Sequence, residues 1–198
     1  MRIGIFGGTF DPPHIAHLVL ASEAYYQLGL DRLLWVLTPF PPHKQGRKIL
    51  PLQTRLDLLS AALDPEPAFE LSRVEIDRPP PHYALDTLQI LGKRFLGDEL
   101  IYLIGGDSLH DLPTWHQPQQ VLSACTALGV MRRPEDQVDL AVLEGQLPSI
   151  TDKVRWIEAP LLEISASDIR RRIAQGQPHR FFLPDGVYNI IHDRHLYR

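Results

Sequence analysis

Cysteine is nearly absent from the chain: Cys125 is the single one in 198 residues. That excludes an internal disulfide framework and suits a reducing compartment. A strong charge of either sign is also missing. The formal net charge is -4, so there is no broad basic face for nucleic acid, and any phosphate ligand must be met by a local positive site. No apolar run approaches the length of a membrane span, and Met1 opens directly into a strand-like pattern rather than a secretory leader. These absences point to a cytoplasmic protein with neither nucleic acid nor membrane as partner; they leave the oligomeric state open. The hydrophobic share of 44% and charged share of 22% are those of an ordinary globule. The length suits one domain with a sizeable core, here residues 1–198 as a whole.

A third glycine is lacking as well, where it would have mattered. A redox dinucleotide corner needs G-x-G-x-x-G and an acidic residue about 20 positions on. The chain instead has Gly7-Gly8-Thr9-Phe10-Asp11-Pro12-Pro13-His14-Ile15-Ala16-His17, with two prolines where the helix of such a corner would begin. The stretch follows an apolar strand at residues 2–6 and runs into an amphipathic helix. Strand, glycine turn and helix start together form a phosphate-binding corner, because helix N-termini offer unpaired N–H groups and a positive dipole end. His14 and His17 share one face of the first turn. As metal ligands they lack a nearby third partner, and zinc takes three or four.

Apolar periodicity predicts further strands at residues 33–38, 69–76, 100–104 and 126–131, and a weaker edge strand at 154–157. Helices are predicted from the motif to a C′ glycine at Gly29, with Ile15, Leu18, Val19 and Ser22 on one face, and at 52–63, 83–91, 167–175 and 187–191. Residues 132–139 have the least structured pattern and are expected as a surface loop. The fold class is α/β: a Rossmann-like single domain, mostly parallel sheet with helices on both faces. In such sheets ligands bind beyond the carboxyl ends of the strands. Residues 7–17, 39–44, 77–82 and 105–107 all follow predicted strands, so the unusual loops converge on one edge.

Two further stretches carry candidate chemistry. Pro41-Pro42-His43-Lys44 holds a lysine on a stiff loop, and Ile164-Ser165-Ala166-Ser167-Asp168-Ile169-Arg170 opens a helix. In the second, Ser165 with Asp168 has capping-box spacing and Ser167 is itself a good N-cap. The same hydroxyls and amides suit phosphate, and the Arg170 guanidinium suits bidentate contact with it.

The motif from Gly7 to His17 resembles the signature of the nucleotidyltransferase superfamily whose T/HxGH motif binds ATP, with the nearest likeness to bacterial nicotinate-nucleotide adenylyltransferases. Ala16 stands where that family usually has Gly; Ala166 replaces a serine, Ser167 a threonine, and His82 a small residue. The resemblance implies adenylyl transfer from ATP, with Mg²⁺ travelling on the nucleotide, to nicotinate mononucleotide. It implies that Gly7, Gly8, Thr9, Phe10, His14 and His17 meet ATP, as do Gly105 and Asp107 of the Gly-Gly-Asp turn. In the Ile-Ser-x-Ser segment it implies the same of Ile164, Ser165, Ser167 and Arg170. His14, His17, Lys44 and Arg170 would together supply the positive field for catalysis. On the mononucleotide side it implies Lys44, a tryptophan on the pyridine ring at Trp115, and the Tyr83-x-x-Asp-Thr-Leu segment, with amides near Thr87 receiving the carboxylate. Phosphopantetheine adenylyltransferases lack the Tyr83 and Trp115 segments. A non-catalytic nucleotide sensor on this fold would have no need of His17, Lys44 and Arg170 together.

Overall fold

The structure is a computed structural model that describes residues 1–40, 49–131, 138–160 and 162–198. The Pro41 to Lys44 segment, and residues 132–137 of the expected surface loop, lie outside the described residues.

Among the described residues six strands form one sheet: β1 (Arg2–Gly8), β2 (Arg32–Leu37), β3 (Phe69–Ser72), β4 (Glu99–Gly105), β5 (Ala127–Met131) and β6 (Val154–Ile157). Their order is β3-β2-β1-β4-β5-β6, with every pair parallel. Nine helices accompany them among the described residues: α1 (Ile15–Gln27), α2 (Leu52–Leu63), α3 (Ala84–Arg94), α4 (Gly106–Asp111), α5 (Pro118–Ala124), α6 (Leu140–Gln146), α7 (Ile150–Lys153), α8 (Ala166–Ala174) and α9 (Asp185–Asp193). No described helix is long and apolar enough to cross a membrane.

The period-2 geometry of β2 divides the core between the two sheet faces. Leu34 and Val36 join Ile3, Ile5 and Leu128 under Leu85, Leu88 and Leu91 of α3 and Val121 of α5. Leu33, Trp35 and Leu37 face the other way, with Phe6 and Leu103, toward Ala21 and Ala24 of α1 and Leu56, Leu59 and Leu63 of α2. A third cluster lies off the sheet, where Leu58 and Ala62 of α2 meet Ile169 and Ile173 of α8 and Val187 and Ile191 of α9. It is this cluster that carries Arg170 to the sheet.

α2 has the predicted limits, and α1 ends as expected: the N–H of Leu30 donates to Tyr25 O (2.9 Å) and that of Gly29 to Tyr26 O (3.2 Å), a Schellman closure. Other elements differ. The buried face of α1 runs through Ala21 and Ala24, with Leu18 beside them, and leaves Ser22 exposed. Small residues there let the helix lie close to the sheet. β3 stops at Ser72 because the next residues form a turn, in which the Asp77 N–H donates to Arg73 O at 2.9 Å. That turn puts Glu75 in the interior, 5 % exposed. α8 starts one residue early, capped by Ser165 rather than Ser167. The short helices α4 to α7 have too few turns to show a periodic apolar pattern.

Candidate active site

β1 and β4 are neighbours in the sheet although β2 and β3 intervene in the chain, so the carboxyl edge between them is the switch point where a parallel sheet opens a crevice. Both glycine-rich turns sit there, one after β1 and one after β4.

The first turn is shaped by aromatic packing. Phe10 takes φ 47 and folds back over Gly8, where an added Cβ would stand 2.7 Å from the ring. Phe10 is itself only 3 % exposed, edge-on to Phe6 and His17. Its ring therefore backs the His17 imidazole from the core side rather than facing a ligand. Gly7 is exposed at the strand end and offers open backbone. The Thr9 carbonyl faces inward, accepting from Arg55.

His14 is the N-cap of α1, and the two imidazoles stack with centroids 3.6 Å apart and planes 26° apart. His17 Nδ1 accepts the His14 backbone N–H at 3.2 Å. A ring accepting at Nδ1 keeps its neutral-state proton on Nε2. His14 is 5 % exposed, and burial pushes its pKa down to about 4. This corrects the expectation that both histidines contribute positive charge: His14 is a neutral ring at pH 7, and its buried Nδ1 has no hydrogen-bond partner among the described residues. Arg170 brings a guanidinium to this edge, beside the amides at the start of α1.

Arg170 arrives on α8, whose N-cap Ser165 accepts the Asp168 N–H at 3.1 Å and shares a 3.0 Å hydrogen bond with Ser167. Both hydroxyls are exposed, while Ile164 packs against the third core cluster. Asp168 is held below the usual carboxylate range by Arg172 and then Arg171, so it is a structural anion and leaves Arg170 unpaired from it. One Nη1 of Arg170 donates to the Asp11 carbonyl at 2.7 Å, across 159 positions of sequence. Loop 9–14 and α8 thereby form one wall.

Two residues of this wall lie outside the opening motif, and a third, Asp11, lies inside it without a role of its own in the sequence. Arg55 of α2 is 2 % exposed. Its guanidinium donates to four carbonyls: Leu50 (3.1 Å), Thr9 (3.2 Å), Thr38 (2.9 Å) and Pro39 (2.8 Å). Asp11 is 4 % exposed and accepts the Tyr197 hydroxyl. In sequence, an arginine on a helix suggests only solvated charge, and Tyr197 lies in no motif.

At the second turn, Asp107 is exposed near the start of α4 and folds back over Gly105, where a Cβ would stand 2.5 Å from Oδ1. Beyond it the segments expected on the mononucleotide side lie close together. Tyr83 stacks on His116 (4.1 Å, 17°), and Trp115 meets the Tyr102 ring edge-on at 6.3 Å. Trp115 is half-buried, packed against the core on one side. His116 is the member the sequence reading did not single out.

Thr87 is placed differently from expectation. It is 1 % exposed, and its hydroxyl donates to Glu75 Oε1 at 2.7 Å and accepts from Arg78 Nη2 at 3.2 Å. Its N–H is already spent on Tyr83 O at 3.3 Å, so the amides open to a carboxylate are those of the first turn, from Ala84 to Asp86. Arg78 also donates to the Tyr83 carbonyl at 3.2 Å and so fixes where that turn points. Glu75, buried, has its pKa raised by desolvation. Lys44 lies outside the described residues.

A parallel sheet with two helix starts at its switch point is a frame that many nucleotide-binding proteins share, and residues 5–172 match the cytidylyltransferase-like family, which places the chain among the nucleotidyltransferases. The chain is 44% identical over 197 residues to a Thermomicrobium roseum protein named "Probable nicotinate-nucleotide adenylyltransferase", covering 100% of this chain and 92% of that one. It is 35% identical over 196 residues to the nicotinate-nucleotide adenylyltransferase of Bacillus subtilis, covering 99% and 98%. Among solved structures, the Plasmodium falciparum nicotinic acid mononucleotide adenylyltransferase complexed with NaAD shares the fold, with TM-score 0.78, 18% identity and coverage of 99% and 97%. The chain belongs to the nicotinate-nucleotide adenylyltransferases of the cytidylyltransferase-like family.

Proposed function

We propose that this chain transfers the adenylyl group of ATP to nicotinate mononucleotide, giving deamido-NAD and pyrophosphate. Family membership over the full length supports the activity. The observation that carries its assignment to this edge is the wall in which the stacked His14–His17 pair and Arg170 meet through one loop. The mononucleotide's phosphate oxygen attacks the α-phosphorus, and the bond to the bridging oxygen of the β-phosphate breaks. The attacking group is already anionic, so positioning and charge stabilisation supply the catalysis.

In this reading the His17 Nε2–H donates to the α-phosphate, and neutral His14 orders it by stacking and through its backbone N–H. Arg170, with Ser165 and Ser167, grips the β- and γ-phosphates; Lys44 adds charge from its own loop. Gly7 is the exposed glycine of the turn and approaches the phosphates, Gly8 shapes the turn beneath Phe10, and Asp107 with Gly105 borders the ribose. Mg²⁺ enters as part of the substrate, bound to ATP and keeping several waters. Trp115 and the Tyr83–His116 pair flank the pyridine ring, and the first amides of α3 receive its carboxylate. The enzyme works in the cytoplasm, which the single buried cysteine suits.

A coupled pyrophosphate-release assay with ATP and each pyridine mononucleotide tests this. The acid should exceed the amide by about 100-fold in kcat/KM, because a site built for a charged acceptor loses that interaction with the neutral analogue. Equal efficiency with the amide would remove the carboxylate assignment, and no release with either would remove the activity.

A further inference from the structure

Tyr197 follows α9, yet its hydroxyl donates to Oδ1 of Asp11 at 2.8 Å across 186 positions of sequence. Arg170 holds the same aspartate from its other side, with Nη1 donating to the Asp11 carbonyl at 2.7 Å and lying 4.0 Å from Oδ2. Asp11 is thus enclosed, at 4 % exposure, between a phenol and a guanidinium, with Arg55 close enough to feel both Asp11 and Tyr197 electrostatically. Tyr197 keeps this place at φ 64, and His195 just before it at φ 52. Left-handed backbone at bulky residues persists only where the surroundings over-determine it. Here Leu196 supplies the anchor, packing on the third core cluster with its N–H donating to Ile191 O at 3.0 Å. Burial and the adjacent carboxylate push the Tyr197 hydroxyl far above its ordinary range, so it stays a donor at working pH.

Arg170 has two competing attractions. With Tyr197 in place, Asp11 Oδ1 is satisfied, and Arg170 touches the residue through its carbonyl while the carboxylate stays at 4.0 Å. Without the hydroxyl, a buried carboxylate lacks a donor, and the nearest mobile one is Arg170. Arginine and carboxylate close readily into a two-pronged pair. That would turn the guanidinium inward, away from any phosphate.

We propose that Tyr197 is a positioning residue for the triphosphate: by occupying the Asp11 carboxylate it keeps Arg170 directed at the ligand. The proposal rests on the ATP assignment made above and adds to it a residue outside every recognised motif. It acts through Arg170, so its effect must disappear when Arg170 is absent.

The test is calorimetric titration of the full chain with α,β-methylene ATP, without mononucleotide, so that the outcome is independent of which acceptor the enzyme uses. Tyr197→Phe keeps the ring and should weaken the analogue about tenfold, while the KM for the mononucleotide stays within twofold and the thermal midpoint shows a folded protein. A chain ending at Leu196 removes the residue without requiring a new side chain to be accommodated, and takes nothing from α9. It should show the same selective loss. In an Arg170→Ala background, adding Tyr197→Phe should weaken the analogue no further. Unchanged ATP affinity in both variants, an equal loss for both nucleotides, or the same loss with and without Arg170 would each overturn the proposal. A wild type that binds no analogue would overturn the ATP assignment itself.

Discussion

His17 Nδ1 accepts the backbone N–H of His14 at 3.2 Å while the two rings stack at 3.6 Å. The first residue of the helix start thus fixes the tautomer of the fourth. One histidine is buried, with its pKa pushed down, and the other has its Nδ1 engaged by backbone. A pair that looks symmetric in sequence is divided in labour by burial.

His17→Ala should therefore act on the chemical step. A donor aimed at charge developing on the α-phosphate is stronger in the transition state than in the ground state, so its loss lowers kcat by roughly 100-fold or more with a modest change in ATP KM. Arg170→Ala removes a contact to phosphates that are charged before reaction, and should raise ATP KM clearly as well as slow turnover. Steady-state kinetics on both variants, with circular dichroism to confirm folding, checks the split. Near-normal kcat in His17→Ala would make the corner structural only.

His14 predicts how stability depends on pH. Its folded-state pKa is depressed to about 4 from the ordinary 6.5. Above pH 6.5 both states are neutral at this ring, and the full stability is present. As pH falls from 6.5 toward 4 the unfolded chain takes up the proton and the folded one does not, so stability is lost. The slope is about 1.4 kcal/mol per pH unit, and the total about 3 kcal/mol. Urea midpoints across this window should fall more steeply for wild type than for a folded His14→Gln variant. Parallel curves would show that His14 protonates without resistance.

Much of this architecture was legible because it rests on local pattern. The limits of α2, the continuous apolar run of β2 and the Gly29 closure follow from local pattern and from backbone chemistry within a few residues. The convergence of loops on one edge follows from strand direction alone. What the sequence does not display depends on burial or on long separation. His14 and His17 look equally titratable until one is seen at 5 % exposure. Thr87 looks like a ligand contact until Glu75 is turned beneath it by the end of β3. Phe10, inside the ligand-binding motif, spends its ring on the core. Asp11 and Tyr197 are 186 positions apart, and nothing local in either marks the bond between them.

Trp115 has one side on the core and meets Tyr102 edge-on. Trp115→Ala should raise the mononucleotide KM about fivefold, the equivalent of roughly 1 kcal/mol of aromatic contact, and leave ATP KM nearly unchanged. Because the ring is half-buried, some loss of thermal midpoint accompanies it. Trp115→Phe should recover most of the stability and part of the KM. A variant whose two KM values both stay at wild type would return Trp115 to a packing role alone.

Arg55 permits the sharpest test of how the corner is held. Its guanidinium reaches the carbonyls of Leu50, Thr9, Thr38 and Pro39, joining the start of α2 to the ends of the loops after β1 and β2. All four carbonyls accept from the guanidinium, so the residue works by fixing backbone. Arg55→Lys keeps the charge but gathers its three donors on one nitrogen, which cannot span acceptors on three segments. At least two buried carbonyls are then left without a donor, at about 1–3 kcal/mol each, so destabilisation should be on the order of 3 kcal/mol or more. Arg55→Met removes the buried charge along with the donors and tests whether charge or geometry matters. If geometry governs, the two variants should show similar losses in urea midpoint, and ATP KM should rise in both because the Thr9 carbonyl and the loop after it are released. If Arg55→Lys retained wild-type stability and ATP KM, the four-carbonyl clamp would be replaceable by any cation, and the corner would owe its shape to the aromatic packing of Phe10 instead.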